Sequence, residues 1–398
     1  MGGSRQINDW GSSGLAYLTG LPDGPADFSR ANVLARAQRV AAAIGQRLGV
    51  AVDAAGVLAG RAALLGLTRA GRVSAGGGTR LLAARDGRCA LTLSRADDVD
   101  AVPALVQADE LAADPWPVVQ RWAATRPVAE IVERAALLDI PAAGLGEAAP
   151  APAAIRVRGP RADHAAPRAP RGLLVADLSS MWAGPLCGRL LARAGATVVK
   201  VESPGRPDGT RAGNPGVFDW INSEKLSYEV DFDGQAGELR ELLTVSDIVI
   251  EGSRPAALAR RGLGPDDIPP RAGRIWLQIT GYDGRRPGFG DDTAVAGGLV
   301  GASAEGPVFC GDAIADPLTG LEAALAVAES LGRGGGELIG VSMSGVAATY
   351  AALPVEPSVS SAPVSPPPTP PVARPASGPG SDNAAVRHLV RQRRCPSC

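Results

Sequence analysis

Asp316 is the carboxylate best placed for chemistry. It lies between the loop 309–315 and an apolar helix-forming stretch, 321–331. There it either caps that helix or faces a cleft as a covalent nucleophile. Position alone leaves both roles open. Other chemistries lack their residues. Only two histidines, His164 and His388, occur in 398 residues, and there is no Gly-x-Ser-x-Gly elbow. A Ser-His-Asp hydrolase therefore has no base, and a histidine-rich metal site is excluded on the same count. Ser179–Pro185 lacks the Gly-x-Gly-x-x-Gly that lets a dinucleotide pyrophosphate approach, although Glu202 ends the next strand as a ribose ligand would. The five cysteines are odd in number and scattered, so structural disulfides are not expected. Cys395-Pro-Ser-Cys398 has CxxC spacing but no second ligand pair, and reads as a tail. Of the 40 basic residues only Lys200 and Lys225 are lysine. Where arginine fills nearly every generic cationic position, an ammonium marks a site with its own geometric demand or a chance survival.

The elements that must hold these residues alternate between strand and helix. Leu173–Asp177, Thr197–Glu202, Asp247–Glu251 and Ile275–Ile279 are apolar, strand-like runs. A helix starting near Pro185 and running to about Ala194, and a helical stretch at Ala256–Arg261, lie among them. The expected fold is α/β, a doubly wound parallel-sheet large domain over residues 171–352 with a smaller α+β domain over 1–145. In that smaller domain Asp86-Gly87 turns a hairpin, Gly76-Gly77-Gly78 precedes it as a loop, and a helical pattern from Trp116 breaks near Pro127. Two Pro-rich stretches, 146–170 and 353–380, read as extended solvated linkers. Residues 381–398 form a short helix and tail, with Ser381 or Asp382 as N-cap. No internal repeat is visible.

The formal net charge of −1 gives no basic excess for a nucleic-acid partner. The apolar runs are short and glycine-broken, well under the ~18 residues a membrane span needs. Met1–Gln6 lacks the apolar core of an export signal. A cytoplasmic protein without a nucleic-acid or membrane partner is the expectation.

Residues 171–352 resemble the family III coenzyme A transferases, the CaiB/BaiF and formyl-CoA transferase group. Five stretches carry the resemblance in the family's order. They are Val175–Ser179 with Ala183-Gly184-Pro185; Gly195–Glu202 followed by Pro204-Gly205, Asp208 and Arg211; Asn222–Lys225 with Val230-Asp231; Ser246–Glu251 leading to Arg254-Pro255 and Arg260–Gly264; and Ala315–Gly320. The resemblance implies that Asp316, four residues before Gly320, attacks an acyl-CoA thioester. It forms a mixed anhydride and then an aspartyl-CoA thioester, from which an acceptor acid takes coenzyme A. No metal or redox cofactor is implied, only the CoA thioester as substrate, with carboxylic acid partners and a homodimer. Lys225 and Arg260 are implied as coenzyme A contacts, Trp182 and Ala183 as the pantetheine path, and Gly76, Gly77 and Gly78 as a loop closing over the nucleophile.

Two departures stand out. The small domain precedes the large one, as if permuted, which puts the family's interlocked dimer in question. Gly252-Ser253 stands where the family has Asn-Phe. An alpha-methylacyl-CoA racemase-like enzyme is the alternative, but Phe289–Asp292 contains no histidine to serve as its second base. A non-catalytic CoA-binding protein is the alternative of another class.

Overall fold

A computed structural model describes residues 2–108, 113–162, 169–252, 257–284 and 286–394. Cys395–Cys398, His164 and Ser253–Pro255 lie outside the described residues.

Three helices come first, α1 (Gly2–Ser12), α2 (Ala31–Leu48) and α3 (Ala54–Leu65). α2 buries Ala37, Val40, Ala41, Ile44 and Leu48 on one stripe, the signature of a helix packed on a core. Gly49, at φ 69°, ends it in the left-handed region and returns its N–H to Gly45 O. The hairpin β1 (Thr79–Ala83) and β2 (Arg88–Thr92) follows. The Ala84 N–H donates to Gly87 O, so Arg85-Asp86 form the turn, one residue before the expected pair. Short helices α4 (Ala96–Asp100) and α5 (Val102–Val106) lead to α6 (Trp116–Ala124) and α7 (Val128–Leu137), which separate at Pro127. Strand β3 (Ala142–Gly144) completes a three-stranded antiparallel sheet. Leu82, Leu91, Trp116, Val119, Trp122 and Ile131 form its own core. Only residues 79–144 of the expected 1–145 unit build this layer. α2 and α3 share the main core with the large sheet's helices instead, because their apolar stripes find partners there.

The seven-stranded sheet runs β4 (Ala154–Val157), β12 (Glu337–Ser342), β9 (Ile275–Thr280), β8 (Ile248–Glu251), β5 (Leu174–Asp177), β6 (Thr197–Glu202) and β7 (Leu226–Glu229). All pairs are parallel except β4 on β12. Buried on both faces, the parallel strands read as continuous apolar runs. Between them lie α8 (Ala183–Arg193), α9 (Pro215–Asn222) and α10 (Ala236–Val245). α11 (Gly290–Ala296), the hairpin β10 (Val300–Ser303) and β11 (Gly306–Phe309), α12 (Ala315–Gly332) and α13 (Met343–Ala351) come later. α14 (Asn383–Arg394) closes the described chain.

Three expectations change. The stretch 146–170 is not wholly a linker: proline-free Ala154–Val157 satisfies the open edge of β12. The stretch at Ala256–Arg261 holds only a 3₁₀ turn, Ala259–Arg261, ended by Gly262 at φ 64°, and Ala256 lies outside the described residues. The Pro-rich stretch 353–380 is extended but held as a strap. The Phe28 N–H donates to Ser358 O, the Ser365 N–H to Gly11 O and the Ala376 N–H to the Asp219 carboxylate. Prolines keep such a strap extended at little entropic cost, and its non-proline residues supply the donors. The expected terminal helix is present as α14, with Val386 and Val390 buried. The Asp382 carbonyl accepts from the Val386 N–H, and its carboxylate accepts from the Ser227 N–H.

Candidate active site

α12 precedes parallel strand β12 and runs back against it, so its first turn lies at the carboxyl ends of the strands. That is where open α/β sheets gather functional groups. Asp316 is the second residue of α12, and the N-cap is Ile314. The structure thereby decides the ambiguity of position: Asp316 is no cap, and its half-buried carboxylate faces other charged groups. The Gly290 N–H, at the start of α11, donates to it. Glycine is required there, since a Cβ would lie 2.4 Å from Asp316 Oδ2 and 2.3 Å from Ala313 O.

The cation of the site is Arg61, from α3. Its Nη1 is 2.6 Å from Asp312 Oδ1, and its guanidinium lies over the Trp182 ring, 5.8 Å from the centroid. Its Nη2 would be 3.3 Å from a Cβ on Gly76, so the glycine loop passes directly by it. Asp291 accepts from the Ala313 N–H at 3.0 Å, and Asp292 accepts from Tyr282 Oη at 2.5 Å and Thr92 Oγ1 at 3.2 Å. Three carboxylates, Asp312, Asp291 and Asp316, thus converge on one guanidinium, and Asp292 adds its charge beside Asp291 and Asp316. Burial pushes Asp316 up to about 7; Arg61 pulls it down while Asp291 and Asp292 push it further up. Burial raises Asp291 to about 6 and Asp292 to about 7.

The expected site residues divide into two groups. Asp316, Trp182 and Gly76 come together around Arg61, and Ala183 follows Trp182 at the start of α8. Trp182 is 4% exposed, and Trp220 meets it edge-on at 6.2 Å. Ala183 lies against α12 one turn beyond Asp316, its carbonyl 2.8 Å from where a Gly320 Cβ would be. Gly77, at φ 82°, makes the turn of the glycine loop, and a Cβ on Gly78 would meet Ser94 Oγ at 2.4 Å.

Lys225 and Arg260 are not brought to that group. Lys225 is buried, with Nζ 2.8 Å from Asp177 Oδ2 and 2.8 Å from Pro185 O. The nucleotide contact expected of Lys225 is therefore corrected to a structural ion pair, because its ammonium points into the core. Burial alone would raise Asp177, but Lys225 and Lys200 outweigh it and hold the carboxyl below its usual range. Lys200 is likewise buried, 2.8 Å from Asp208. Both lysines therefore sit as buried ammonium groups, each paired with a buried carboxylate. Arg260 is solvent-exposed on the 3₁₀ turn after β8. Gly252 lies against Ser179, with a Cβ 3.0 Å from Ser179 Cβ, so the asparagine of the family pattern would crowd it.

Sequence reading missed Arg61 and Asp312. Arg61 is one arginine among many, and only folding carries α3 to the loop before α12. Among the described residues no cluster of His, Cys, Asp and Glu is arranged to hold a metal ion, and no helix is long and apolar enough to cross a membrane.

Residues 171–368 match the family model for CoA-transferase family III. The chain is 32% identical over 178 residues to an acyl-CoA transferase of Fusarium pseudograminearum, covering 38% of this chain and 39% of that one. It is 33% identical over 190 residues to the succinyl-CoA–L-malate CoA-transferase beta subunit of Chloroflexus aurantiacus, covering 41% and 46%. To human succinyl-CoA:glutarate CoA-transferase it is 33% identical over 170 residues, covering 38% and 39%. The chain spans less than half the length of these curated relatives. A crystal structure of a hypothetical protein from Mycobacterium tuberculosis aligns over 47% of this chain and 57% of that one, at 31% identity and a TM-score of 0.43.

Proposed function

We propose that this chain, whose residues 171–368 match the family model for CoA-transferase family III, transfers coenzyme A from an acyl-CoA to a carboxylic acid through Asp316. The supporting observation is the placement of that carboxylate at the start of α12, beside the Arg61 cation and near the glycine loop.

Asp316 Oδ attacks the thioester carbonyl, and the resulting tetrahedral oxyanion collapses with loss of the CoA thiolate, leaving a mixed anhydride. The thiolate attacks the aspartyl carbonyl of that anhydride and releases the acyl group as a carboxylate, giving an aspartyl-CoA thioester. An acceptor carboxylate then attacks this thioester, and the same two exchanges run in reverse. Each step trades one acyl leaving group for another, so the chemistry calls for positioning and oxyanion stabilisation rather than redox. Backbone N–H groups of the Gly76–Gly78 loop are the candidates for the oxyanion. Arg61 favours the ionised carboxylate that attacks.

The test is incubation with a panel of acyl-CoAs, hydroxylamine quench and peptide mapping. An acyl-CoA-dependent hydroxamate on Asp316, absent in Asp316→Asn, is the expected result. Its yield rises as pH rises through about 7, because the protonated acid cannot attack. CoA binding without capture across the panel would turn the reading to a non-catalytic CoA-binding protein. α-Proton exchange without capture would turn it to a racemase-like one.

A further inference from the structure

Residues 2–65 and 290–351 are built alike. α1 and α11 are followed by connections of equal length, residues 13–30 and 297–314, and then by helices of 18 residues each, α2 and α12. Each connection folds back on itself, through the Gly20–Ala26 bridge in one and the β10–β11 hairpin in the other. A third helix follows, α3 or α13. The sequences keep step. Gly14, Leu15, Ala31 and Leu34 recur 284 positions later as Gly298, Leu299, Ala315 and Leu318. After the insertion that provides β12, Gly56-Val57 recurs 289 positions later as Gly345-Val346, and Ala62-Ala63-Leu64 as Ala351-Ala352-Leu353. The expectation of no internal repeat is therefore corrected. Most of these matches are alanine, glycine and leucine, which recur by composition alone, so the helical arrangement was needed to make them a repeat.

The two units face each other reciprocally: α2 lies along α12, α3 reaches α12 and α13 reaches α2. Equivalent positions show what this does. The second residue of α12 is Asp316, and the second residue of α2 is Asn32. The eighth residue of α3 is Arg61, which reaches Asp312 just before α12. The eighth residue of α13 is Tyr350, whose ring carries Arg36 of α2 at 4.9 Å. Each third helix thus serves the other unit's second helix. The Asn32 Nδ2 donates to Pro354 O and Glu356 Oε1, both at 2.9 Å, so the start of the strap meets the second position. An amide there supplies no ionisable nucleophile.

We propose that residues 2–65 are a silenced copy of the 290–351 unit that serves Asp316 by supplying Arg61 from within the same chain, so that one chain holds a complete site. This rests on Asp316 being the reactive carboxylate of the proposed function. The expected homodimer is then not needed to assemble the site. The charged groups facing Asp316 are Arg61 from α3, Asp291 and Asp292 from α11, and Asp312, held by Arg61, from the loop before α12.

The test reads Asp316 directly. Aspartate labelled with 13C at the carboxyl carbon is titrated by NMR, and the Asp316 signal is identified by its absence in Asp316→Asn. Sedimentation equilibrium on the same samples gives the oligomeric state. The expected result is that the chain sediments as a monomer and that Arg61→Gln, still folded by circular dichroism, raises the Asp316 midpoint by about one pH unit. Asn32→Ala leaves the midpoint in place. The proposal is overturned if Arg61→Gln does not move the midpoint, or if the wild-type midpoint falls only when chains associate, since the cation would then come from a second copy. A monomer with an Arg61-dependent midpoint that captures no acyl group would uphold this inference and sink the transferase reading.

Discussion

At Asp316 the loss of water outweighs the cation beside it. Loss of water raises the carboxyl, and Asp291 and Asp292 raise it further, while Arg61 draws it back to about 7. Each pH unit corresponds to about 1.4 kcal/mol, so a carboxyl raised to about 7 changes its ionisation near neutral pH when a neighbouring charge is added or removed. Lys225 shows the opposite case. Its pair with Asp177 is wholly buried, and Pro185 O takes a further donor, so it contributes to the fold rather than to a ligand. Lys225→Met leaves the Asp177 carboxylate in the core without this partner. We expect a loss of about 3–5 kcal/mol, measured by chemical denaturation, with unchanged CoA affinity in the protein that remains folded. Unchanged stability with lost CoA affinity would restore the nucleotide contact that the resemblance implies.

At the scale of elements, the site depends on how closely α12 approaches α8. Gly320 permits that approach, because a Cβ there would lie 2.7 Å from Leu186 Cδ2 and 2.8 Å from Ala183 O. Gly320→Val must push the helices apart, moving Asp316 relative to Trp182 one turn away. Overpacking of this kind costs about 1–3 kcal/mol, and the displaced nucleophile should lose acyl capture more than the folded fraction falls. Hydroxamate yield per folded molecule is the measurement, and wild-type yield would show that α12 can shift without disturbing the site. Motifs in the sequence marked both sides of this contact, Ala183-Gly184-Pro185 and Asp316–Gly320. They did not show that the two sides touch.

For the whole molecule, the Pro-rich strap runs against the N-terminal helices, meeting Gly11, Phe28 and Gly60. Gly14, at φ 89°, is one place where the strap passes close, a Cβ there lying 2.4 Å from Pro367 Cα. Gly14→Val is strained in its backbone by about 1–2 kcal/mol and also lifts the strap. Limited proteolysis should then cut within 354–377 at a lower protease concentration than in the wild type. Equal resistance would show that the strap is not anchored at this point.

The alternation of apolar strands with helices made the parallel sheet legible, since strands buried on both faces leave continuous apolar runs that no other arrangement explains as well. A loop, an acid and a helix start in consecutive residues made Asp316 stand out, and the resemblance to a known family, not the local pattern, implied its role as a nucleophile. Arg61, by contrast, lies 255 positions from Asp316, and nothing in its neighbours distinguishes it from other arginines. The burial of Lys225, the edge strand within 146–170, the strap and the repeated helical unit share that property. Each depends on which surfaces meet after folding, and hydrophobic burial is non-directional, so local sequence does not encode the partner. Composition and pattern determined the fold class and marked Asp316 as a candidate; tertiary packing alone decided which cation faces it.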